Sequence, residues 1–295
     1  MNRREFSQMI VGAAVGHGFL SYALESNPSK VGLQFSVMLW TIDKQRGVER
    51  SIEIVADAGY HGVELVSEFE TWSAQDTRRI MAKMNSLGLI FDTIDGGSYT
   101  LADPAATQTI LKKLAVRMDV AKGLGCSQLI LTSGNSMKNL SQQAQRSAVI
   151  ETLKHVAELA SKNNMQIVIE PIDPFERPDG YLTSVIQGFE IVHAVNSQNV
   201  KVLYDFYHEQ QAGGNLIVKL EQNIQWVGLV HVADVPGRHE PGTGEIDYGS
   251  IYRKLAELGY NKFIAMEFYP TGDPLQLLKK ARLDALKAAR GNSAV

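Results

Sequence analysis

From residue 31 almost to its end, the chain alternates short, β-branched apolar runs with amphipathic helical stretches. No other feature limits the fold as strongly. Strand-like runs fall at 32–39, 62–66, 90–94, 128–132, 166–170, 200–205, 226–232 and 263–267. Helical periodicity occupies 48–58, 77–87, 104–124, 142–162 and 252–258 between them. Gly59, Gly88, Gly125 and Gly259 stand where helices would end, the position that prefers a left-handed residue. Near-continuous apolar strands separated by helices require a parallel sheet covered on both faces. Eight such units predict an α/β fold of one (β/α)₈ TIM barrel rather than an open sheet. No GxGxxG or GxxxxGK[ST] loop follows a strand, so a nucleotide-binding sheet has no support.

The barrel accounts for residues 31–295 as a single domain. Residues 1–30 read differently. Arg3-Arg4-Glu5-Phe6 precedes a mostly small or apolar stretch from Met9 to Leu20 that is too short to span a bilayer as a helix. Ser21-Tyr22-Ala23 offers small residues for cleavage. The segment resembles a twin-arginine export signal, which points to the periplasm; the alternative is a cytoplasmic enzyme carrying an N-terminal extension. A net charge of −3 and the lack of a Lys/Arg cluster argue against a nucleic-acid surface. The mature form has no membrane segment in this reading, its partner is a small-molecule substrate, and a homo-oligomer is compatible with it. Cys126, the one cysteine in 295 residues, reads as a small core residue.

A TIM barrel places chemistry at the C-terminal ends of its strands. Four consecutive ends carry donors. The fifth strand ends VIEP with Glu170, and the sixth ends in YDFYH with Asp205 and, three residues on, His208. The seventh delivers His231, and the eighth ends MEFYP with Glu267. Two Glu, one Asp and one His make an oxygen-rich site suited to Mn²⁺ or Mg²⁺, with Co²⁺ also compatible. The loop after the seventh strand adds Asp234, Arg238, His239, Glu240 and Glu245 within a Pro- and Gly-dense stretch. Such a mixture of charges is costly to hold unless something polar is bound.

These motifs carry a resemblance. IEPID (169–173), YDFYHEQ (204–210), HVADVPGRHEPGTGEIDY (231–248) and the final GYNKF and MEFYP are similar to the hydroxypyruvate isomerase family within the xylose isomerase-like barrels. The resemblance implies isomerisation through an enediolate, with hydroxypyruvate to tartronate semialdehyde as the leading reaction. It makes Glu170 and Glu267 both metal ligands and an acid/base pair, with Asp205 and His231 completing the metal shell. His208 and Arg238 would contact substrate oxygens, Arg238 pairing with a carboxylate, and Glu240 would lie just behind. Where this family commonly has Gln, this chain has His231, and sugar epimerases likewise have His. A ketose 3-epimerase is therefore an alternative, and a non-catalytic sugar-binding barrel is another.

Other strand-end residues carry weaker expectations. Glu64 would touch a substrate hydroxyl or support the metal shell, with a salt bridge at the barrel end as the alternative. Trp40 would wall the site or pack in the core. His61 falls at the opposite end of its strand and reads as structural. Of Asp92 and Asp95, Asp95 lies nearer the mouth. Phe206, Tyr207, Phe268 and Tyr269 read as packing around the site.

Overall fold

Eight parallel strands pair in sequence order and close on themselves, β1 against β8. They are β1 (Gln34–Met38), β2 (Gly62–Leu65), β3 (Ile90–Ser98), β4 (Gln128–Thr132), β5 (Gln166–Glu170), β6 (Val200–Asp205), β7 (Val227–Val232) and β8 (Phe263–Met266). The helices are α1 (Trp40–Asp43), α2 (Val48–Asp57), α3 (Ala74–Ser86), α4 (Thr107–Gly123), α5 (Gln142–Lys162), α6 (Val185–Val195), α7 (Phe206–Ala212), α8 (Leu216–Asn223), α9 (Tyr248–Glu257) and α10 (Pro274–Ala289). This computed structural model describes residues 32–43 and 46–291. The export-signal segment and the proposed domain boundary at residue 30 lie outside the described residues. Among those described, no helix is long and apolar enough to cross a membrane.

Alternation along the strands sorts side chains into two cores. Leu129, Leu131, Ile167, Ile169, Val202 and Tyr204 point outward and join the buried helix faces, among them Leu114, Met118, Leu153 and Val156. Their neighbours Ile130, Val168 and Leu203 point inward and meet Met38 and Leu229 in a small plug inside the barrel. Each such side chain contributes about 1.5–3 kcal/mol by leaving water. Both faces of every strand are thus occupied, which is why the strands read as nearly unbroken apolar runs.

The glycines expected to end helices do so, with φ of 82° at Gly59, 69° at Gly88, 67° at Gly125 and 67° at Gly259. Several boundaries differ from the sequence reading. β3 continues to Ser98, past a register irregularity between Asp95 and Ser98, so the strand extends toward the mouth. α3 and α9 begin earlier than their apolar periodicity, because Ser73 and Asp247 cap them by accepting from the Asp76 and Ser250 N–H groups. β8 stops at Met266, and Glu267 follows with its N–H donated to the Val232 carbonyl at 3.0 Å.

Candidate active site and metal centre

Consecutive strand ends deliver the four expected donors to one place. Ligand atoms of Glu170, Asp205, His231 and Glu267 all lie within 4.8 Å of one another. Asp205 is fixed twice over. One carboxylate oxygen caps α7 by accepting from the N–H groups of Tyr207 (2.7 Å) and His208 (3.4 Å), leaving the other for the site. Three carboxylates and an imidazole converging at the rim repel one another unless positive charge is shared among them. The donor set therefore fits a divalent cation with oxygen preference.

Protein cations already hold part of this charge. Arg238 Nη2 lies 2.9 Å from Glu267 Oε2 and 3.4 Å from Asp205 Oδ2, and Nη1 reaches Glu176 at 3.2 Å. Its guanidinium also stacks 4.9 Å from the Tyr207 ring centre. His231 Nδ1 is 2.6 Å from Glu267 Oε2 and 3.9 Å from Glu170 Oε1. On its far side Nε2 is 2.9 Å from Glu64 Oε2, close but out of hydrogen-bond alignment. His208 Nδ1 pairs with Asp173 Oδ2 at 2.7 Å, and its Nε2 lies 3.5 Å from Asp205 Oδ2.

The two glutamates are pushed apart in acidity. Burial, reinforced by the Glu267 charge, raises Glu170 to about 7. Burial also pushes Glu267 upward, but Arg238 and His231 outweigh it and bring Glu267 down to about 2. Burial favours neutral His208, yet Asp205 and the bond to Asp173 raise it to about 9. His231 follows the same pattern: Glu64 and Glu267 overcome burial and hold it well above the ordinary range. A pair of carboxyl groups with separated acidities is the arrangement that lets one accept a proton while its neighbour stays ionised.

The loop after β7 is organised by Asp234. Its carboxylate accepts from the N–H groups of Val235, Gly242, Gly244 and Ile246, so this acid shapes the loop rather than facing the site. A Cβ at Gly244 would sit 2.0 Å from the Val235 carbonyl oxygen, so only glycine fits this crossing. Arg238 holds a left-handed φ of 56°, a conformation uncommon outside glycine, and this turns it inward over the carboxylates. Glu240 is buried with both carboxylate oxygens engaged by the Thr271 N–H and hydroxyl. It ties this loop to the one after β8 and is not among the converged ligand atoms. His239 Nδ1 lies 2.8 Å from the Tyr269 carbonyl oxygen, again between the same two loops.

Trp40 opens α1 at the end of β1, half-buried, edge-on to Tyr269 at 5.3 Å and packed on the inner plug. Phe206 and Phe268 are buried as expected. His61 sits at the start of β2, at the end opposite the site, where the Phe35 N–H reaches its Nδ1. Burial raises the Cys126 thiol to about 12, which leaves it an inert core group. Three acids that sequence reasoning gave no role stand close by. Asp173 anchors His208, Glu176 partners Arg238, and Asp92 lies buried beside Glu64. Asp173 was available to sequence reasoning as the last residue of the IEPID motif; Glu176 and Asp92 had no comparable signal.

Comparison with known proteins agrees with this fold. Residues 52–289 match the model of the xylose isomerase-like TIM barrel family. The chain belongs to that family and is an enzyme of the isomerase type within it. Hydroxypyruvate isomerase from Escherichia coli (strain K12) is 25% identical, across 81% of this chain and 94% of that protein. A 2-oxo-tetronate isomerase from Haemophilus influenzae is 27% identical, across 75% of this chain and 87% of its own. Among solved structures, the IOLI protein with a bound zinc atom superposes with a TM-score of 0.75 at 17% identity, covering 86% of this chain and 98% of that one.

Proposed function

We propose that this enzyme interconverts a small hydroxy-keto acid and its aldehyde isomer, with hydroxypyruvate and tartronate semialdehyde as the leading pair. The observation that carries the reading is the convergence of Glu170, Asp205, His231 and Glu267 at the β5–β8 rim. The names of the curated relatives support the same substrate class. A divalent cation held by these four residues, Mn²⁺ or Mg²⁺ and compatibly Co²⁺, would polarise the substrate carbonyl and stabilise negative charge on the enediolate oxygens.

Glu170 and Glu267 act as the acid/base pair. One removes the proton from C3 of hydroxypyruvate, and the electron pair of that C–H bond forms the C2–C3 double bond as the carbonyl electrons move to O2. A proton then returns to C2, while the hydrogen of the C3 hydroxyl passes to O2 and C3 becomes the aldehyde carbon. The net change is a two-proton rearrangement with nothing oxidised overall. His208 and Arg238 contact the substrate oxygens, and Asp173 and Glu176 hold those two side chains in place.

The test is NMR in deuterium oxide with Mn²⁺-loaded protein and hydroxypyruvate. Wild-type protein should exchange solvent deuterium into the carbon next to the carbonyl, and Glu170→Gln should lose that exchange by about 10²–10⁴-fold with its fold intact. Full exchange in Glu170→Gln would reject the assignment. Exchange with fructose or tagatose but not hydroxypyruvate would move the enzyme to the ketose 3-epimerases. No exchange with any of them would leave a binding barrel.

A further inference from the structure

Arg238 reaches the rim carboxylates from a backbone that would not stay there unaided. Gly237 and Arg238 lie side by side in the left-handed region, at φ 89° and 56°. For an arginine that conformation persists only where its surroundings enforce it. The residue makes two contacts of its own with the end of β8. The Tyr269 N–H donates to its carbonyl at 2.8 Å, and its Nε donates to the Glu267 carbonyl at 3.4 Å. Neither contact fixes the stretch from Val235 to Ile246 that carries Arg238, which forms no helix or strand.

Asp234 supplies that constraint. Its side chain is fully buried, out of reach of any substrate. Oδ1 accepts from the N–H groups of Val235 (2.9 Å) and Ile246 (3.1 Å), and Oδ2 from those of Gly242 (2.8 Å) and Gly244 (2.9 Å). Its own N–H donates to the His239 carbonyl at 2.8 Å and closes the turn that holds Gly237 and Arg238. One residue thus ties the outgoing arm, the returning arm and the tip. Only a carboxylate serves four donors in this way; an amide of the same shape would turn its NH₂ toward two of them. The neck of the loop is held separately. There the Tyr248 hydroxyl donates to the Ala233 carbonyl at 2.6 Å and accepts from the Ala233 N–H at 3.1 Å. Losing the Asp234 carboxylate should therefore loosen the tip and leave the barrel closed.

We propose that Asp234 is a positioning residue for the reaction, acting through Arg238 by holding its guanidinium against Glu267 and Asp205. The inference rests on Arg238 as a working group of the proposed isomerase. A displacement of about 1 Å in such a group is enough to cost about 10²-fold in rate.

The test is a double-mutant cycle in kcat/KM with hydroxypyruvate and Mn²⁺. Asp234→Asn should lower kcat/KM about 10²-fold. Beside Arg238→Gln the same change should cost less than about threefold, because the group it positions is gone. Any loss of thermal stability should be the same in both backgrounds, which separates positioning from support of the fold. A second readout needs no turnover. In metal-free protein labelled with ¹⁵N-arginine, the Arg238 Nε–H signal, assigned by its loss in Arg238→Gln, should exchange faster with water in Asp234→Asn. Equal activity losses in both backgrounds, or an unchanged Arg238 signal, overturns the proposal. Should Asp234→Asn fail to fold, Gly242→Ala takes its place under the same expectations. Its Cβ meets nothing, and only the φ of 90° strains the loop. An Arg238 signal that depends on Asp234 in a protein without deuterium exchange supports the positioning while removing the isomerase reading.

Discussion

Two sectors of the barrel interior hold buried acids in opposite ways. At the β5–β8 rim, Glu170, Asp205 and Glu267 are interleaved with Arg238, His208 and His231, each within hydrogen-bond or ion-pair distance of a carboxylate. Across the barrel lie inward-facing Ser36, Glu64 and Asp92 on β1–β3, with the Nε2 edge of His231 beside Glu64. The Ser36 hydroxyl and all four oxygens of Glu64 and Asp92 are buried without hydrogen bonds. Asp92 fits there because residue 62 is glycine; a Cβ would meet its Oδ1 at 2.5 Å. Burial and then the nearby Glu64 push Asp92 well above the carboxylate range. One sector balances its charge with cations, whereas burial in the other favours the neutral form of Asp92. The His231 ring joins them.

If the rim is the catalytic sector, its substitutions should remove chemistry and spare folding. Glu267→Gln is expected to lower deuterium exchange by about 10²–10⁴-fold, the usual worth of a positioned acid or base. Thermal unfolding should move down yet stay cooperative, because the variant weakens the pairs with Arg238 and His231 while Arg238 keeps Asp205 and Glu176. A Glu267→Gln protein that exchanges normally, or one that no longer folds, would erase the distinction between the sectors.

The β1–β3 sector should act through His231 instead. With Glu64 beside Nε2, the ring presents Nδ1 toward Glu170 and Glu267. Outer carboxylates of this kind orient histidine ligands, and losing one weakens metal binding about 10- to 100-fold. Glu64→Gln should therefore raise the Mn²⁺ dissociation constant by that factor, measured by the free-Mn²⁺ electron paramagnetic resonance signal. With saturating Mn²⁺, most of the activity should return. Unchanged Mn²⁺ affinity would mean that Glu64 does not position His231.

The contrast also separates what the sequence discloses from what it hides. Glu170, Asp205, His231 and Glu267 were legible because the strand period and the end-of-strand rule locate them without any knowledge of pairing. The Glu64–Asp92 contact was not. It depends on a register shift between Val63 and Glu64 where β2 meets β3, and such a shift leaves no local trace. Arg238 lies beside the converged carboxylates, but its three carboxylate partners come from three separate segments. Glu240 looked like a member of the site because it lies in the same loop as Arg238. Its partner Thr271 is 31 residues away, so the strut between the loops could not be read from spacing.

Asp92 offers a test of the retained proton. An unfolded Asp loses its proton near pH 4, whereas the folded protein keeps this one to a higher pH. The folded state therefore binds more protons over that interval. Stability contributed by this group is full below about pH 4 and falls as pH rises toward the folded value, by at most about 1.4 kcal/mol per pH unit. Asp92→Asn lacks the titration, so its stability relative to wild type should improve from pH 5 to pH 8 in urea unfolding. A constant difference between the two proteins would show that Asp92 is ionised in the fold.

The smallest effect is expected at Glu240, which ties two loops of the rim together without joining its converged ligand atoms. Glu240→Gln keeps the shape and one acceptor for Thr271 while removing the charge. It should cost about 0.5–1.5 kcal/mol of stability, the net worth of one hydrogen bond, and leave kcat/KM within a few-fold of wild type. A direct contact between Glu240 and substrate would instead raise KM tenfold or more at unchanged stability. That outcome would place a fourth carboxylate among the working groups of the rim and blur the boundary between loop support and site.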